Sequence, residues 1–212
     1  MKLVVSCCEL GALPTNCYVI ADMQHGKSLV IDPAVYDNTL VQTLRKLDIE
    51  RLDYILLTHG HYDHILGVHM LKENYGGAIV MHEDEEAFLS DSSLSLTHGF
   101  FMHTLAAEKP DILVRDGDKL PFGGGEIEVL HTPGHTRGSV CYRMDDFLFC
   151  GDTIFRESVG RTDLPTGDLM QLYASVRRIA ALRGDYKLFP GHGEATTLSH
   201  ERKNNPYLFR AL

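Results

Sequence analysis

The amino-acid sequence predicts a mixed α/β fold in which short apolar strands alternate with amphipathic helices. The chain has 212 residues, of which 44% are hydrophobic and 23% are charged, a balance typical of a globular protein. Runs rich in β-branched residues, bounded by Gly, Pro or Asp, recur in both halves of the chain. Because no linker or low-complexity tract interrupts them, we expect residues 1–212 to form one domain.

The individual elements follow from these patterns in chain order. Strands are predicted at 2–5, 17–20, 28–31, 54–57, 126–130, 139–142, 147–150 and 187–189. Helices are predicted at 37–47, 65–74, 83–89 and 168–182, the last with Leu172, Val176 and Ile179 on one face. Residues 90–110 show no clean period, and we interpret them as a flap beside the substrate, with a surface helix and turn as the alternative.

Composition excludes several classes of function. The formal net charge is -9 and no run of Lys or Arg could neutralise a phosphate backbone, so nucleic acid is not expected as a partner. No apolar run approaches the roughly 20 residues that cross a bilayer, so we expect a cytoplasmic protein. Five cysteines without framework spacing are expected to be reduced and buried: Cys7, Cys8, Cys17, Cys141 and Cys150.

The strongest chemical signal is the segment 58–64, Thr-His-Gly-His-Tyr-Asp-His, between a predicted strand and a predicted helix. A turn at the strand end can direct His59 and His61 to one side. Asp63 and His64, near the start of the helix, then point to a neighbouring position. Imidazole and carboxylate groups suit Zn²⁺ and similar ions, so this spacing predicts two adjacent metal pockets.

Three further segments supply ligand types at the ends of strands. His135, Asp152 and His192 each lie in a Gly-containing turn that follows a strand-like run. Any one of them alone would more often be an ordinary surface or core residue. Together with the 59–64 motif they predict a two-metal site of seven residues, whereas His131 and His69 are interpreted as structural.

These motifs resemble those of the metallo-β-lactamase superfamily and, within it, the short, single-domain type of glyoxalase II. The resemblance spans nearly the whole chain and includes 16–18, 31–33, 59–64, 131–139, 151–152, 160–163, 190–193 and 205–207. It implies a four-layer αββα sandwich with the metal site at one edge of the two sheets.

The resemblance also implies a role for each site residue. His59, His61 and His135 would hold the first divalent ion, Asp63, His64 and His192 the second, and Asp152 would bridge both. Zinc is the expected metal, with Fe or Mn as alternatives, and Asp32 would orient ligands. True β-lactamases of this superfamily lack a bridging carboxylate, so Asp152 argues against β-lactamase activity. Arg161 would contact the substrate, the alternative being a salt bridge with Asp163.

The expected activity is hydrolysis of a small anionic thioester by a metal-bridging hydroxide that Asp63 helps to orient. Recognition of glutathione stays open, because we expect this short type to lack the helical domain that contributes glutathione contacts in full-length glyoxalase II. Two alternatives remain. One is a persulfide dioxygenase with a single Fe(II) in a two-His, one-carboxylate site. The other is a non-catalytic metal-binding module. The sequence does not predict the oligomeric state.

Overall fold

Two six-stranded sheets form the centre of the computed structural model, which describes residues 2–97 and 109–210. The first sheet has the order β1-β2-β3-β4-β5-β6 and is antiparallel up to β3 and parallel beyond it. Its strands are β1 (Leu3–Leu10), β2 (Thr15–Asp22), β3 (Lys27–Ile31), β4 (Tyr54–Leu56), β5 (Ala78–His82) and β6 (Ile112–Val114).

The second sheet has the order β14-β13-β10-β9-β8-β7, and only its β10–β13 pair is parallel. Its strands are β7 (Lys119–Phe122), β8 (Gly125–His131), β9 (Val140–Met144), β10 (Phe147–Gly151), β13 (Lys187–Pro190) and β14 (Thr196–Thr197). A separate short hairpin consists of β11 (Ile154–Phe155) and β12 (Ser158–Val159).

The helices are short, and capping side chains start the main ones. They are α1 (Asn38–Lys46), α2 (Tyr62–Ile65), α3 (Val68–Tyr75), α4 (Ser92–Ser95), α5 (Leu169–Ala180), α6 (Leu198–Asn204) and α7 (Pro206–Arg210), with a 3₁₀ helix at Glu83–Leu89. The carboxylates of Asp37 and Asp168 accept hydrogen bonds from the first free N–H groups of α1 and α5. None of the helices in the described ranges is long and apolar enough to cross a bilayer.

Three apolar clusters show that the elements stack in four layers. One cluster joins a face of the first sheet to α1 and α3, through residues such as Val19, Leu44 and Leu71. A second lies between the two sheets and includes Ile20 and Tyr142. A third joins the second sheet to α5 and α6. Successive residues of a strand face opposite sides, so β2 is buried on both faces. The predicted αββα sandwich is confirmed.

All eight predicted strands are present, and two of the four predicted helices match α1 and α5. The predicted helix at 65–74 is divided into α2 and α3, because the Gly67 amide donates to the Pro33 carbonyl at 2.8 Å instead of continuing the helical hydrogen bonds. Segment 83–89 is a 3₁₀ helix rather than an α-helix. Within 90–110, α4 occupies Ser92–Ser95, and the flap prediction falls largely on 98–108, outside the described residues.

All five cysteines are free thiols, as predicted, but their burial differs from the expectation at one position. Cys8, Cys17, Cys141 and Cys150 are buried, whereas Cys7 is exposed. The prediction of burial was wrong for Cys7 because successive residues of a strand face opposite sides: Cys8 faces α1, where its thiol donates to Thr43, and Cys7 faces the other side of the edge strand β1.

Candidate metal centre

The seven residues that the sequence singled out as ligands meet at one edge of the two sheets. The first four lie on the loop after β4 and on α2, and the others lie in the turns that follow β8, β10 and β13. Two backbone contacts connect the two sheets at this edge. The Val140 amide donates to the Thr58 carbonyl at 2.9 Å, and Thr15 forms a β-bridge with His192. Residues far apart in the chain are therefore held around one small volume.

Their donor atoms form two adjacent groups. The first contains His59, His61 and His135, whose ligand atoms lie within 4.8 Å of one another. The second contains Asp63, His64 and His192, in which Asp63 Oδ2 lies 3.6 Å from His64 Nε2 and 3.3 Å from His192 Nε2. Each group offers three ligand atoms of the types that bind Zn²⁺ or Fe²⁺.

The carboxylate of Asp152 lies between the two groups. Its Oδ1 atom is 3.6 Å from His64 Nε2 in the second group. Its Oδ2 atom is 3.6 Å from His135 Nε2 in the first group and 3.6 Å from His192 Nε2 in the second. This position fits a carboxylate shared by two ions, and the ligation itself stays a prediction.

Unpaired buried atoms show that this polar cluster fits metal ions. Within the described ranges, four buried side-chain atoms lack a hydrogen-bond partner: His59 Nε2, His61 Nε2, His64 Nε2 and Asp152 Oδ1. A buried polar atom without a partner costs about 1–3 kcal/mol, so such atoms are rare in native proteins. Coordination of a cation explains the missing partners of His59 Nε2, His64 Nε2 and Asp152 Oδ1, whereas His61 faces His135 Nε2 through its Nδ1 atom, at 2.9 Å.

Hydrogen bonds to the opposite ring nitrogens fix three of the imidazoles. His64 Nδ1 donates to Asp32 at 3.0 Å, His135 Nδ1 to the Arg161 carbonyl at 2.8 Å and His192 Nδ1 to the Pro14 carbonyl at 3.0 Å. The Nε2 atom of each ring is thereby left as the free electron-pair donor that points to the other ligand residues. Asp32 thus takes the orienting position that the resemblance implied.

The two groups differ in electrostatic character. Burial, together with the neighbouring histidines, lowers the pKa of His61 to about 3, and the same causes lower the pKa of His59. Burial also opposes charge on His64, but the carboxylates of Asp32, Asp63 and Asp152 outweigh it and raise the pKa of His64 to about 10. Burial therefore favours the neutral, ligating form of His59 and His61, whereas the carboxylates around His64 favour its charged form.

The turn that carries His192 is held by strand β2 of the opposite sheet. Asn16 Nδ2 donates to the carbonyls of Pro190 at 3.0 Å and Gly193 at 2.8 Å, and Tyr18 Oη donates to Pro190 at 2.6 Å. A Cβ at Gly191 would lie 2.2 Å from Asp152 Oδ1, so only glycine fits between the turn and that carboxylate. These contacts explain the early motif at 16–18.

Glu85 is a functional residue that the sequence did not single out. It is fully buried in the 3₁₀ helix, where Oε2 accepts from the Gly60 amide at 2.8 Å and Oε1 from the Gly138 amide at 2.9 Å. Gly60 separates His59 from His61, and Gly138 follows His135 by three residues. One carboxylate therefore fixes the two loops that carry the first group. The only sequence signal was an acidic residue within a run of four, Glu83–Glu86, which normally indicates a solvated surface.

A cleft of about 600 Å³ opens from the centre to solvent. Its described wall includes Leu13, Leu96, Phe155, Val159 and Leu164, and Arg161 lies at its margin. The Arg161 guanidinium pairs with the carboxylate of Asp163 through two contacts of 2.7 Å, and both side chains are exposed. Of the two roles weighed for Arg161, the structure therefore shows the salt bridge.

A second His-rich cluster lies apart from this centre. The rings of His82 and His131 are stacked 4.0 Å apart at 13°, and Asp84 lies beside them. Ligand electron pairs lie in the plane of an imidazole, so two parallel rings cannot direct theirs to one ion. His82 Nδ1 also accepts from the Asp84 amide at 3.2 Å, and His131 Nε2 donates to the Arg137 carbonyl at 2.9 Å. This cluster serves packing and capping.

Known proteins resemble this chain in sequence and in fold. The chain is 34% identical to hydroxyacylglutathione hydrolase GloC of Haemophilus influenzae, over 93% of this chain and 94% of the relative. Among solved structures, BLEG-1 B3 metallo-beta-lactamase superposes with a TM-score of 0.89 at 32% identity, covering 97% of this chain and 99% of the other.

Two further solved structures are similar. TTHA1623, solved in a di-iron-bound form, gives a TM-score of 0.81 at 33% identity and covers 96% and 100% of the two chains. ETHE1 from Myxococcus xanthus gives 0.77 at 27%, covering 96% and 83%. The family profile of the metallo-beta-lactamase superfamily matches residues 10–192. With this match across most of the chain, the protein belongs to the metallo-β-lactamase superfamily.

Proposed function

We propose that the protein is a thioester hydrolase of the glyoxalase II type that acts on a small anionic thioester and uses two divalent metal ions. The observation that carries this proposal is the pair of adjacent donor groups with Asp152 between them and unpaired buried atoms among them. The relative named as a hydroxyacylglutathione hydrolase supports the thioester as the scissile group.

Each residue has a defined part in this proposal. His59, His61 and His135 would hold one ion, Asp63, His64 and His192 would hold the other, and Asp152 would be shared. When bound, such ions would supply a hydroxide at neutral pH by lowering the pKa of water to about 7. Asp63 orients the attacking group. Zinc is the proposed metal, and the di-iron form of a similar protein makes iron the first alternative to measure.

The surroundings of Asp63 support its double role as ligand and orienting group. Its Oδ2 atom lies 3.3 Å from His192 Nε2 and 3.4 Å from the hydroxyl of Thr15, which donates its shorter hydrogen bond to the Leu13 carbonyl at 2.7 Å. Burial raises the pKa of Asp63, but the more numerous effects of His64 and His192 lower it overall. Asp63 therefore stays a carboxylate and keeps accepting hydrogen bonds at neutral pH.

A thiolate leaves readily, so the reaction needs no strong general acid beside the centre. Two metal ions contribute four positive charges, and Asp63 and Asp152 return two, which leaves the centre attractive to an anion. Arg161 would contact a substrate carboxylate only after exchange from Asp163. If it does so, Arg161→Ala raises KM for an anionic thioester, and an unchanged KM removes this role.

The central experiment measures metal content and hydrolysis of S-D-lactoylglutathione by purified protein. We expect two metal ions per chain and turnover that collapses in Asp63→Asn. The matched control is Cys150→Ala, because the Cys150 thiol is buried and donates to the Leu148 carbonyl at 3.3 Å, away from the cleft. Loss of turnover in the cysteine variant with retention in Asp63→Asn would overturn the mechanism.

The same preparation separates the alternatives. A persulfide dioxygenase would hold one iron per chain and consume oxygen with glutathione persulfide. A non-catalytic module would be inert towards thioesters, lactones and phosphodiesters. A β-lactam belongs in the panel because one similar structure is named a B3 metallo-beta-lactamase. The complete second donor group favours the hydrolase, since a mononuclear iron site leaves that group without an ion.

A further inference from the structure

The wall of the cleft is apolar where it adjoins the metal centre. Five apolar side chains form most of the wall outside the ligand residues, with Tyr62, Ser158 and Arg161 as its other members: Leu13, Leu96, Phe155, Val159 and Leu164. Among the described residues that line the cleft, Arg161 is the only Lys or Arg, and Asp163 already pairs with it. A polar peptide-like group placed against the apolar side chains of the wall would lose hydrogen bonds to water without replacing them. A hydrocarbon group would gain from leaving water.

We propose that this apolar wall binds the acyl group of the substrate, so that the enzyme prefers thioesters with a hydrocarbon acyl group over hydroxyacyl thioesters. This inference rests on the proposed thioesterase function and names the class of acyl group. A scissile carbonyl at the ligand residues would leave its acyl substituent beside the aliphatic and aromatic side chains.

One part of the wall lies on a short hairpin beside the ligand His192. Phe155 and Val159 lie on the β11–β12 hairpin, and the Phe155 ring centroid is 6.3 Å from that of His192. The Ser158 carbonyl accepts from Asn205 Nδ2 at 3.0 Å, so α6 and its C-terminal cap support the hairpin. An acyl chain that reaches the hairpin therefore meets side chains whose backbone is held in place by this contact, which favours binding.

Two leucines also belong to the wall. The backbone of Leu96 is left-handed, with a φ of 65°, a conformation that residues other than glycine rarely adopt. Leu13 lines the cleft with 48% of its surface exposed. Strained backbone and uncovered apolar surface concentrate at ligand sites. Both leucines gain from a hydrocarbon group that covers them.

The experiment varies the acyl group on one carrier, so that charge on the carrier stays constant. Acetyl-, butyryl-, hexanoyl- and D-lactoylglutathione are compared with the metal-loaded enzyme, and kcat/KM is measured for each. Burying one more methylene is expected to raise kcat/KM about three- to fourfold while the cleft can accept it. We therefore expect hexanoyl to exceed acetyl by at least tenfold, and butyryl to exceed D-lactoyl.

Variants of the wall identify the residues responsible. Phe155→Ala and Leu164→Ala should each reduce the ratio of hexanoyl to acetyl kcat/KM severalfold. Leu113→Ala is the matched control, because this leucine is 43% exposed on β6 and does not line the cleft. It should keep the wild-type ratio. Two wall variants are used so that one remains informative if the other folds poorly, which far-UV circular dichroism detects.

The outcomes separate the two proposals. If D-lactoylglutathione is hydrolysed but kcat/KM is flat or falls with acyl length, the hydrocarbon preference is refuted and the thioesterase function stands. If no thioester in the series is hydrolysed by metal-loaded protein, the thioesterase function is refuted and this inference with it. An equal loss of the ratio in Leu113→Ala would also refute the assignment to the cleft wall.

Discussion

Removing the Glu85 carboxylate should loosen the loops that carry the first three histidines. Its two oxygens accept hydrogen bonds from Gly60 and Gly138, and no solvent reaches the side chain. In Glu85→Ala, both amide donors stay buried but lose their acceptor. Glu85→Gln retains one carbonyl oxygen but directs an NH₂ group towards the other amide.

The magnitude follows from the number of donors left unpaired. Each buried N–H without an acceptor costs about 1–3 kcal/mol. Glu85→Ala should therefore lower the free energy of unfolding by about 2–6 kcal/mol, and Glu85→Gln by about 1–3 kcal/mol. Glu86→Ala is the control, because Glu86 is exposed in the same 3₁₀ helix and exposed substitutions usually change stability by under about 0.5 kcal/mol.

Urea denaturation of metal-free protein measures these values without a contribution from metal binding. Metal content after dialysis then reports on the first donor group, and we expect Glu85→Ala to retain fewer ions than Glu86→Ala. The reasoning is refuted if Glu85→Ala and Glu86→Ala have the same urea midpoint and the same metal content.

Three further predictions concern pH, packing and orientation. Burial raises the pKa of Glu85 from 4.5 to about 7, so its proton stabilises metal-free protein fully below pH 4.5 and progressively less up to pH 7; urea titrations should show the wild-type advantage over Glu85→Gln shrinking across that range. Gly60→Ala places a Cβ 2.3 Å from Phe88 Cβ and should lower the free energy of unfolding by about 1–3 kcal/mol, which thermal melts measure. An unchanged melting temperature would contradict this prediction. Asp32→Asn weakens the hydrogen bond that orients His64 and should reduce metal affinity about 10- to 100-fold in competition with a chelator; unaltered affinity would contradict the orienting role.

The metal-ligand motif could be predicted because its information is local. In segment 58–64, the spacing alone predicts that His59 and His61 point to one side of a turn and that Asp63 and His64 point to a neighbouring position. The turns around His135, Asp152 and His192 were equally visible, since each follows a strand. Residues at the ends of neighbouring strands tend to meet at one edge of a sheet, so the sequence alone could indicate where the metal centre lies.

Other features depend on which distant segments lie side by side, and only the tertiary structure decided them. Glu85 looked like part of an exposed acidic run, yet the fold buries it between two loops 25 and 53 residues away. The position of Cys7 at a sheet edge and the apolar wall beside the ligands likewise follow from strand order and loop packing. A sequence period reports which face of an element is apolar, whereas long-range packing determines what that face, or a single buried carboxylate, contacts.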